Sequence, residues 1–294
     1  MTSKVKNNVN RKGWCPSILK PMETSDGLLV RIKPKFSSIS IHQLLGLCDL
    51  SIKHGNGLID LTNRANFQLR GLTNRSYLEL VDGLVELGLG SRSPEEDEAP
   101  QVLVSPMLSE EFRELSDRLL LLRFKKLPPK FGFVMDNFEQ PACLQYSGDI
   151  RIYVKPNDVL IAFDNADAGV NVSYSQIEGQ IKNMIDWYMS NRLDEFSRVS
   201  SVVSTVGCPS SFASSPLPQE KQFKKIGFID GGVFFALNSG QFHASQLVTV
   251  LERAYFSGNI RVTPWRALYL PNCDLFDVAP YQIDEDKFFD GVNF

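Results

Sequence analysis

The feature that most constrains the fold is an internal repeat, in which a strand–helix–strand segment occurs twice, about 200 residues apart. The first copy opens with "DGLLVRIKP" and ends with "GNGLIDLTNRANFQLRGL", whereas the second opens with "DGGVFFALNSG" and ends with "GNIRVTPWRALYLP". The landmarks keep their spacing, since Asp26 lies 17 positions before Gln43 and Asp230 lies 16 positions before Gln246. Two copies are too few for a solenoid. We therefore expect two similar units that pair across a pseudo-twofold axis.

Each copy shows helix and strand signals. Ser40 is the predicted N-cap of the first helix and Gly55 its predicted end. Between them, apolar residues recur at helical spacing: Ile41, Leu44, Leu45, Leu47, Cys48 and Ile52. The stretch 55–72 is interpreted as one strand and 74–90 as a second amphipathic helix. In the second copy, a single strand is predicted from Arg261 to Leu268.

The region between the copies carries elements of its own. "SPEEDEAP" is an acidic linker, and a helix is predicted to begin at the N-cap Ser109. Strands are predicted in "KFGFVMD" and "GDIRIYVKPNDVLIAFDN", followed by a helix over 173–192. One face of that helix is apolar, with Ile177, Ile181, Met184, Ile185 and Tyr188. The predicted fold class is α+β, with antiparallel or mixed sheets.

Composition excludes several classes of partner. With a net charge of −3, the chain gives no electrostatic indication of nucleic-acid binding. No apolar run reaches the length of a membrane span and no secretory signal is visible, so we expect a cytoplasmic protein without membrane contact. The five cysteines are scattered without a C-x-x-C pair, and no histidine lies at metal-ligand spacing. No metal site is predicted from the residues of this chain.

Two arginines interrupt an apolar strand pattern. Arg64 and Arg70 lie among Leu61, Phe67 and Leu69, with amide side chains between them. A strand that only buried one face would not need two guanidiniums. On one extended strand, residues six positions apart share a face, so both arginines are expected to point toward one anion.

The other basic residues could have a structural role in place of a ligand-binding role. Arg31 could form a strand-end ion pair with Asp26, and Lys130 could be solvated. Arg261 and Arg266 could line the second half of the same pocket or cap the edge of the sheet.

Four segments together resemble the nitrite/sulfite reductase family: "CPSILKPMETSDGLLVRIKP", "GNGLIDLTNRANFQLRGL", "LPPKFGFVMD" with "GDIRI", and "IRVTPWRALYLP". The resemblance runs from about Cys15 to Leu270. Within this family, the sequence is most similar to the branch whose members hydroxylate precorrin-3A with oxygen on the aerobic route to cobalamin (vitamin B12). The resemblance implies duplicated ferredoxin-like half domains around a nitrite/sulfite-reductase-type sirohaem domain. The implied divisions are an N-terminal segment 1–19, half domain 20–92, central domain 93–209, half domain 210–275 and a tail 276–294.

The resemblance also implies a cofactor and its ligands. Sirohaem is the expected cofactor and a tetrapyrrole the expected substrate. Arg and Lys suit their carboxylates because a guanidinium binds a planar carboxylate in a bidentate manner. The cofactor-binding residues implied are Arg31, Arg64, Arg70, Lys130 and Asn66. No catalytic residue is assigned.

The sequence departs from the family pattern in its basic residues and in its cluster cysteines. The second basic residue of the family's K-F-K motif is Gly132 here, so a reductase of small oxyanions is not expected. The 4Fe-4S cluster expected of the family is held by C-x5-C and C-x3-C pairs, and these ligands are absent from this chain. We therefore expect that the cluster domain is missing or is supplied by a second polypeptide, and that this chain does not turn over without such a partner. Two alternatives stay open: a non-catalytic tetrapyrrole-binding or scaffold protein, and a truncated product without function.

Overall fold

The computed structural model describes residues 15–273 except 123, 125, 126, 223, 238 and 239. The strands of this part of the chain form three sheets, of five, six and five strands. The two five-stranded sheets belong to the two sequence repeats, and the six-stranded sheet belongs to the region between them. The tail 276–294 and most of the segment 1–19 lie outside the described residues.

The first repeat folds into five strands and two helices. Its elements are β1 (Met22–Thr24), β2 (Gly27–Ile32), β3 (Ser38–Ile39), α1 (Ile41–His54), β4 (Leu58–Leu61), β5 (Phe67–Leu72) and α2 (Asn74–Glu86). The predicted cap of α1 is confirmed, because the Ser40 hydroxyl accepts from the Gln43 backbone N–H and the Gln43 side chain accepts from the Ser40 N–H. The predicted end at Gly55 is confirmed as well.

The second repeat has the same order with one helix among the described residues. Its elements are β12 (Gly227–Ile229), β13 (Gly232–Phe235), β14 (Gln241–His243), α7 (Ala244–Arg253), β15 (Ile260–Val262) and β16 (Leu268–Pro271). Helix α7 packs against α1 of the first repeat. Buried leucines of both helices, Leu44, Leu47 and Leu247, belong to one hydrophobic core that the two repeats share.

The two repeats exchange short strands. The first sheet has the order β1-β2-β5-β4-β14, and the second has the order β12-β13-β16-β15-β3. Phe242 of β14 therefore lies opposite Ile59 of β4, and Ile39 of β3 lies opposite Ile260 of β15. Each repeat completes the edge of the other's sheet, which is the pseudo-twofold arrangement that the repeat predicts.

The predicted single strand over 55–72 is wrong. This stretch is a β-hairpin, in which β4 pairs antiparallel with β5 and Ile59 lies opposite Leu69. The connecting turn is closed by a hydrogen bond from Thr62 N to Asn66 O of 3.0 Å, with Ala65 in the left-handed region at φ 53°. The single strand predicted from Arg261 to Leu268 is wrong for the same reason, because β15 and β16 form a second hairpin.

The central region forms a mixed sheet. Its strands are β6 (Gln101–Val104), β7 (Gly132–Asn137), β8 (Ile150–Val154), β9 (Val159–Phe163), β10 (Ala168–Val172) and β11 (Ser215–Pro216). Strands β6, β7 and β8 are parallel, and the others pair antiparallel. The helices of this region are α3 (Pro94–Asp97), α4 (Arg113–Leu121), α5 (Ile177–Asn191) and α6 (Val199–Val206).

The two faces of the central sheet have different neighbours. One face packs on α4, α5 and α6, and all five apolar residues predicted for one face of α5 are buried there. On the other face, Val134 and Leu103 join the core of the two repeats. The first residues of β6 and β7 therefore meet the β4–β5 hairpin, where the candidate site lies.

Candidate anion-binding site

The tip of the β4–β5 hairpin is fixed to the start of β6 by an amide pair. Asn66 Nδ2 donates to Gln101 Oε1 at 2.9 Å, and Gln101 Nε2 donates to Asn66 Oδ1 at 2.6 Å. Gln101 Nε2 also donates to the backbone carbonyl of Arg64. Both residues of the pair are buried. The structure thus gives Asn66, a predicted ligand residue, a role in positioning the turn that carries Arg64.

Arg64 extends from this turn toward the first residue of β7. A Cβ built on Gly132 would lie 2.5 Å from Arg64 Nη2, so the guanidinium occupies the space that a side chain at 132 would need. Within the described residues, the half-buried Arg64 side chain donates no hydrogen bond and forms no ion pair. Burial and then the nearby Arg198 guanidinium lower the pKa of Arg64, although Asp149 opposes this. An incompletely solvated cation that has no hydrogen-bond or ion-pair partner among the described residues is suited to an anionic ligand.

Two further basic residues lie beside Arg64. Arg31, on β2, donates from Nη2 to Gln68 Oε1 at 2.9 Å. Lys33, just after β2, donates from Nζ to the carbonyls of Asp97 at 2.9 Å and Ala99 at 3.2 Å. Burial lowers the pKa of both residues, although Cys15 opposes this for Arg31 and the Asp97 charge opposes it for Lys33, and the positive charge of Arg64 lowers the pKa of Lys33 further. We call Arg31, Lys33 and Arg64 the basic site.

None of the three cations of the basic site is paired with a carboxylate at ion-pair distance among the described residues. Arg31 is held by an amide and Lys33 by backbone carbonyls, and neither partner carries charge. The site therefore concentrates positive charge in a protein whose net charge is −3. Such a local field attracts anionic ligands even though the whole molecule is acidic.

Arg198 supplies a fourth cation near the site, but it is already paired. Its Nε and Nη2 donate to the two oxygens of Asp149 at 2.9 and 2.8 Å, in a bidentate arrangement. Asp149 is 1% exposed and also accepts from Gly132 N at 3.0 Å. Sequence reasoning missed Lys33, Arg198 and Asp149. The alternation in "RIKPK" could have indicated Lys33, whereas a lone Arg in a loop carries no comparable signal.

Arg70 does not join Arg64. It lies toward the other end of β5, where its Nε is 3.0 Å from Asp26 Oδ2 and its Nη1 is 3.6 Å from Asp60 Oδ2. The expectation of a common strand face is wrong, because the turn at 62–66 separates the two arginines. The charge of Arg70 is balanced within the protein by two carboxylates, so its predicted ligand contact receives no support from this geometry.

Lys130 stands close to the basic site along the chain. It is exposed in the turn that precedes β7, two residues before Gly132. Lys130 is exposed, and its predicted role in ligand binding stays a prediction.

The second repeat contributes to a neighbouring cavity of about 470 Å³. Arg31, Asn63 and Gln68 line it from the first repeat, and Gly240, Gln241 and Arg266 line it from the second. Arg31 therefore borders both the basic site and this cavity. Arg261 lies elsewhere: it is 4% exposed and donates to the carbonyls of Ser105 at 2.9 Å and Leu108 at 3.1 Å. That arginine joins the second repeat to the central region.

The described residues offer few side chains that could ligate a metal ion together. No group of three or more His, Cys, Asp or Glu side chains that could hold a metal ion occurs between residues 15 and 273, outside the gaps in the described chain. We therefore derive no step through an iron–sulfur cluster. Within the same residues, no helix is long and apolar enough to cross a membrane.

Comparison with known proteins shows what the first repeat is similar to. Residues 20–87, which include Arg31 and Arg64, match the family model of the nitrite/sulfite reductase ferredoxin-like half domain. The solved structure of the Mycobacterium tuberculosis NirA protein matches with a TM-score of 0.57 at 16% identity, over 90% of this chain and 55% of that chain. At this identity the likeness concerns the fold. The predicted family resemblance and fold class are confirmed, while the domain boundaries stay a prediction.

A particular relative is found among curated proteins. A precorrin-3B synthase from Sinorhizobium sp is 34% identical over 151 residues, which make up 48% of this chain and 32% of that protein. The chain thus spans about a third of the length of this curated relative and about half of the NirA chain.

Proposed function

We propose that the chain is the tetrapyrrole-binding part of a precorrin-3B synthase-like oxidoreductase of cobalamin biosynthesis. In this proposal the basic site binds peripheral carboxylates of sirohaem or of a precorrin. The observation that carries it is the Arg64 side chain, a half-buried guanidinium that makes no hydrogen bond to a described residue. It lies on the motif turn of the half domain at 20–87. The similarity to precorrin-3B synthase supports the reaction class.

The donor set of the basic site fits a carboxylate-rich macrocycle. Arg64 offers a planar fork of N–H donors, which matches a carboxylate in a bidentate manner. Arg31 and Lys33 have donors beyond those engaged by Gln68 and by the Asp97 and Ala99 carbonyls. Several cations spread along a sheet suit a ligand with carboxylates around its rim better than a single small anion.

The residues of this chain have a binding and orienting role in the proposed reaction. When bound, sirohaem would supply redox chemistry at its iron. Arg64 would hold one carboxylate, while the amide pair of Asn66 and Gln101 keeps the turn that carries Arg64 in place. Arg31 and Lys33 would hold neighbouring carboxylates, and their burial limits competition from water. The oxygen-dependent hydroxylation of precorrin-3A is the proposed overall reaction.

Sirohaem titration tests the binding step. We expect wild-type protein to shift the absorption spectrum of sirohaem and Arg64→Ala to bind at least about tenfold more weakly. A charge-assisted hydrogen bond contributes roughly 1.5–3 kcal/mol, and 1.4 kcal/mol corresponds to a factor of ten. Arg75→Ala is the matched control, because that arginine is 92% exposed on α2. Equal dissociation constants for wild type and Arg64→Ala, or no binding by the wild type, would overturn the proposal.

A second measurement separates an oxidoreductase from a protein that only binds tetrapyrroles. Binding of sirohaem is common to both, whereas consumption of precorrin-3A with oxygen and a reductant is required only of the enzyme. The assay should use the longest natural form of the protein together with any polypeptide that co-purifies with it. Tight sirohaem binding without turnover in that preparation would favour the binding protein.

A further inference from the structure

We infer that Gly132 is a positioning residue for Arg64, because the missing side chain at the start of β7 provides the space in which the guanidinium lies. A Cβ at this position would approach Arg64 Nη2 to 2.5 Å and the Gln101 carbonyl oxygen to 3.0 Å. Real Cβ atoms do not tolerate the first of these distances, so one group must move. The consequence for ligand binding rests on the proposed function, whereas the contact itself does not.

The backbone at 132 does not explain the glycine. Its φ lies outside the left-handed region, so an L-residue could adopt the same conformation. The backbone is also fixed on both sides, since Gly132 N donates to Asp149 Oδ2 at 3.0 Å and Asp149 N donates to Gly132 O at 2.8 Å. Glycine is needed at position 132 because the Arg64 guanidinium occupies the space of a Cβ. It is not needed for the backbone conformation.

The other end of the contact is fixed as well. The Arg64 carbonyl accepts from Gln101 Nε2, and the Thr62 hydroxyl accepts from the backbone N–H of Arg64 at 3.3 Å and of Asn66 at 3.1 Å. With the turn and β7 both held in place, the Arg64 side chain is the group that must leave its position when a side chain is placed at 132. A methyl group there would redirect the guanidinium without removing its charge.

The position of Arg64 matters because its neighbours carry different charges. Asp149 and Arg198 form a closed bidentate pair near Arg64, and the charges of Arg31 and Lys33 also lie close enough to interact with it. Over Gly132, the donors of the guanidinium are unused by the described residues. A bulkier residue would displace it from this position and remove the one cation of the basic site that has no hydrogen-bond partner in the described chain.

A double-mutant cycle in urea tests the contact without any ligand. The variants are Gly132→Ala, Arg64→Ala and their combination, with Gly179→Ala of α5 as control, since a Cβ there meets no atom within 4 Å. We expect Gly132→Ala to lower the unfolding midpoint more when Arg64 is present than when residue 64 is Ala. If Gly132→Ala alone does not fold but the double variant with Arg64→Ala does, that result would support the contact equally. The same loss in both backgrounds, or failure of both Gly132→Ala proteins to fold, would overturn it.

Sirohaem titration of folded Gly132→Ala then tests the functional part. We expect its dissociation constant to rise by about as much as that of Arg64→Ala, at least about tenfold, because the charge is present but misdirected. Suppose that the urea cycle is non-additive but Gly132→Ala binds sirohaem with wild-type affinity. That result would show that Gly132 determines the contact with Arg64 but does not affect ligand binding. If the wild type does not bind sirohaem, the proposed function fails and the cycle alone decides whether Gly132 positions Arg64.

Discussion

Thr62 and Thr263 occupy equivalent positions in the two repeats, each at the start of a hairpin turn. Thr62 N donates to Asn66 O at 3.0 Å, and Thr263 N donates to Ala267 O at 2.9 Å. The third residue after each threonine is left-handed, Ala65 at φ 53° and Arg266 at φ 61°. The duplication therefore preserves the turn geometry even where the side chains differ.

This equivalence shows how the repeats have diverged at the site. Counting from the threonines, Arg64 corresponds to the buried Trp265, and the buried Ala65 corresponds to Arg266. Each turn thus carries one arginine, but the arginine is the second residue after the threonine in the first repeat and the third in the second repeat. The one in the first repeat lies over Gly132, and the one in the second lines the 470 Å³ cavity beside Arg31. An asymmetric ligand with several carboxylates is compatible with such a pair.

The ion pairs of Arg70 lead to a prediction that distinguishes it from Arg64. Arg70→Ala should change the dissociation constant for sirohaem by less than about threefold, well under the factor of ten that 1.4 kcal/mol represents. The reason is that Asp26 and Asp60 already balance its charge. Parallel titrations of Arg70→Ala and Arg64→Ala provide the measurement. A tenfold loss in both variants would contradict this assignment.

Local sequence signals were sufficient to predict many of the helices and strands. The capping box at Ser40 and the apolar face of α5 depend on spacing within one helix, which the sequence displays directly. The duplicated order of elements was visible for the same reason. Arg31 and Arg64, which were named from the motif that carries them, both lie in the candidate site, and their binding of a ligand stays a prediction.

Two kinds of feature could not be predicted. The turn at 62–66 lacks glycine and proline, and its left-handed position is filled by Ala65, so the alternating pattern continues through it as if it were strand. The exchanged strands β3 and β14 have two and three residues, and β14 finds its partner across 181 positions, as the Gln241–Asp60 bond shows. The ion pairs of Arg70 and the space above Gly132 likewise depend on tertiary contacts.

Strand exchange makes the two repeats depend on each other for stability. Phe242 of β14 is fully buried against the first repeat's sheet and lies 5.8 Å from the Phe235 ring, centroid to centroid. Phe242→Ala should lower the free energy of unfolding by about 3–5 kcal/mol. Phe228→Ala, which removes a ring that is 47% exposed, should cost much less. Hydrogen exchange should show lost protection in β4 as well as β14, and a loss confined to the second repeat would contradict coupled folding.

The last prediction concerns Asp136, a carboxylate buried near the end of β7. It is 0% exposed and accepts backbone hydrogen bonds from Ala142 at 2.9 Å and Cys143 at 2.7 Å. Burial raises the pKa of Asp136 from 3.8 to about 6, although the backbone donors oppose the shift. The folded protein therefore holds this proton more tightly than the unfolded chain does. Its contribution to stability is full below about pH 4 and is lost as the pH rises to about 6.

Urea unfolding of wild type and Asp136→Asn across this pH range measures the effect. The variant should be less stable overall, because its amide nitrogen would face backbone N–H donors. The decisive quantity is how the difference between the two proteins changes with pH. The wild type should lose on the order of 2 kcal/mol relative to the variant between about pH 4 and about pH 6. Asp186→Asn, which removes an exposed carboxylate of α5, controls for the loss of charge. A difference that stays constant over this range would show that Asp136 titrates alike in the folded and unfolded protein.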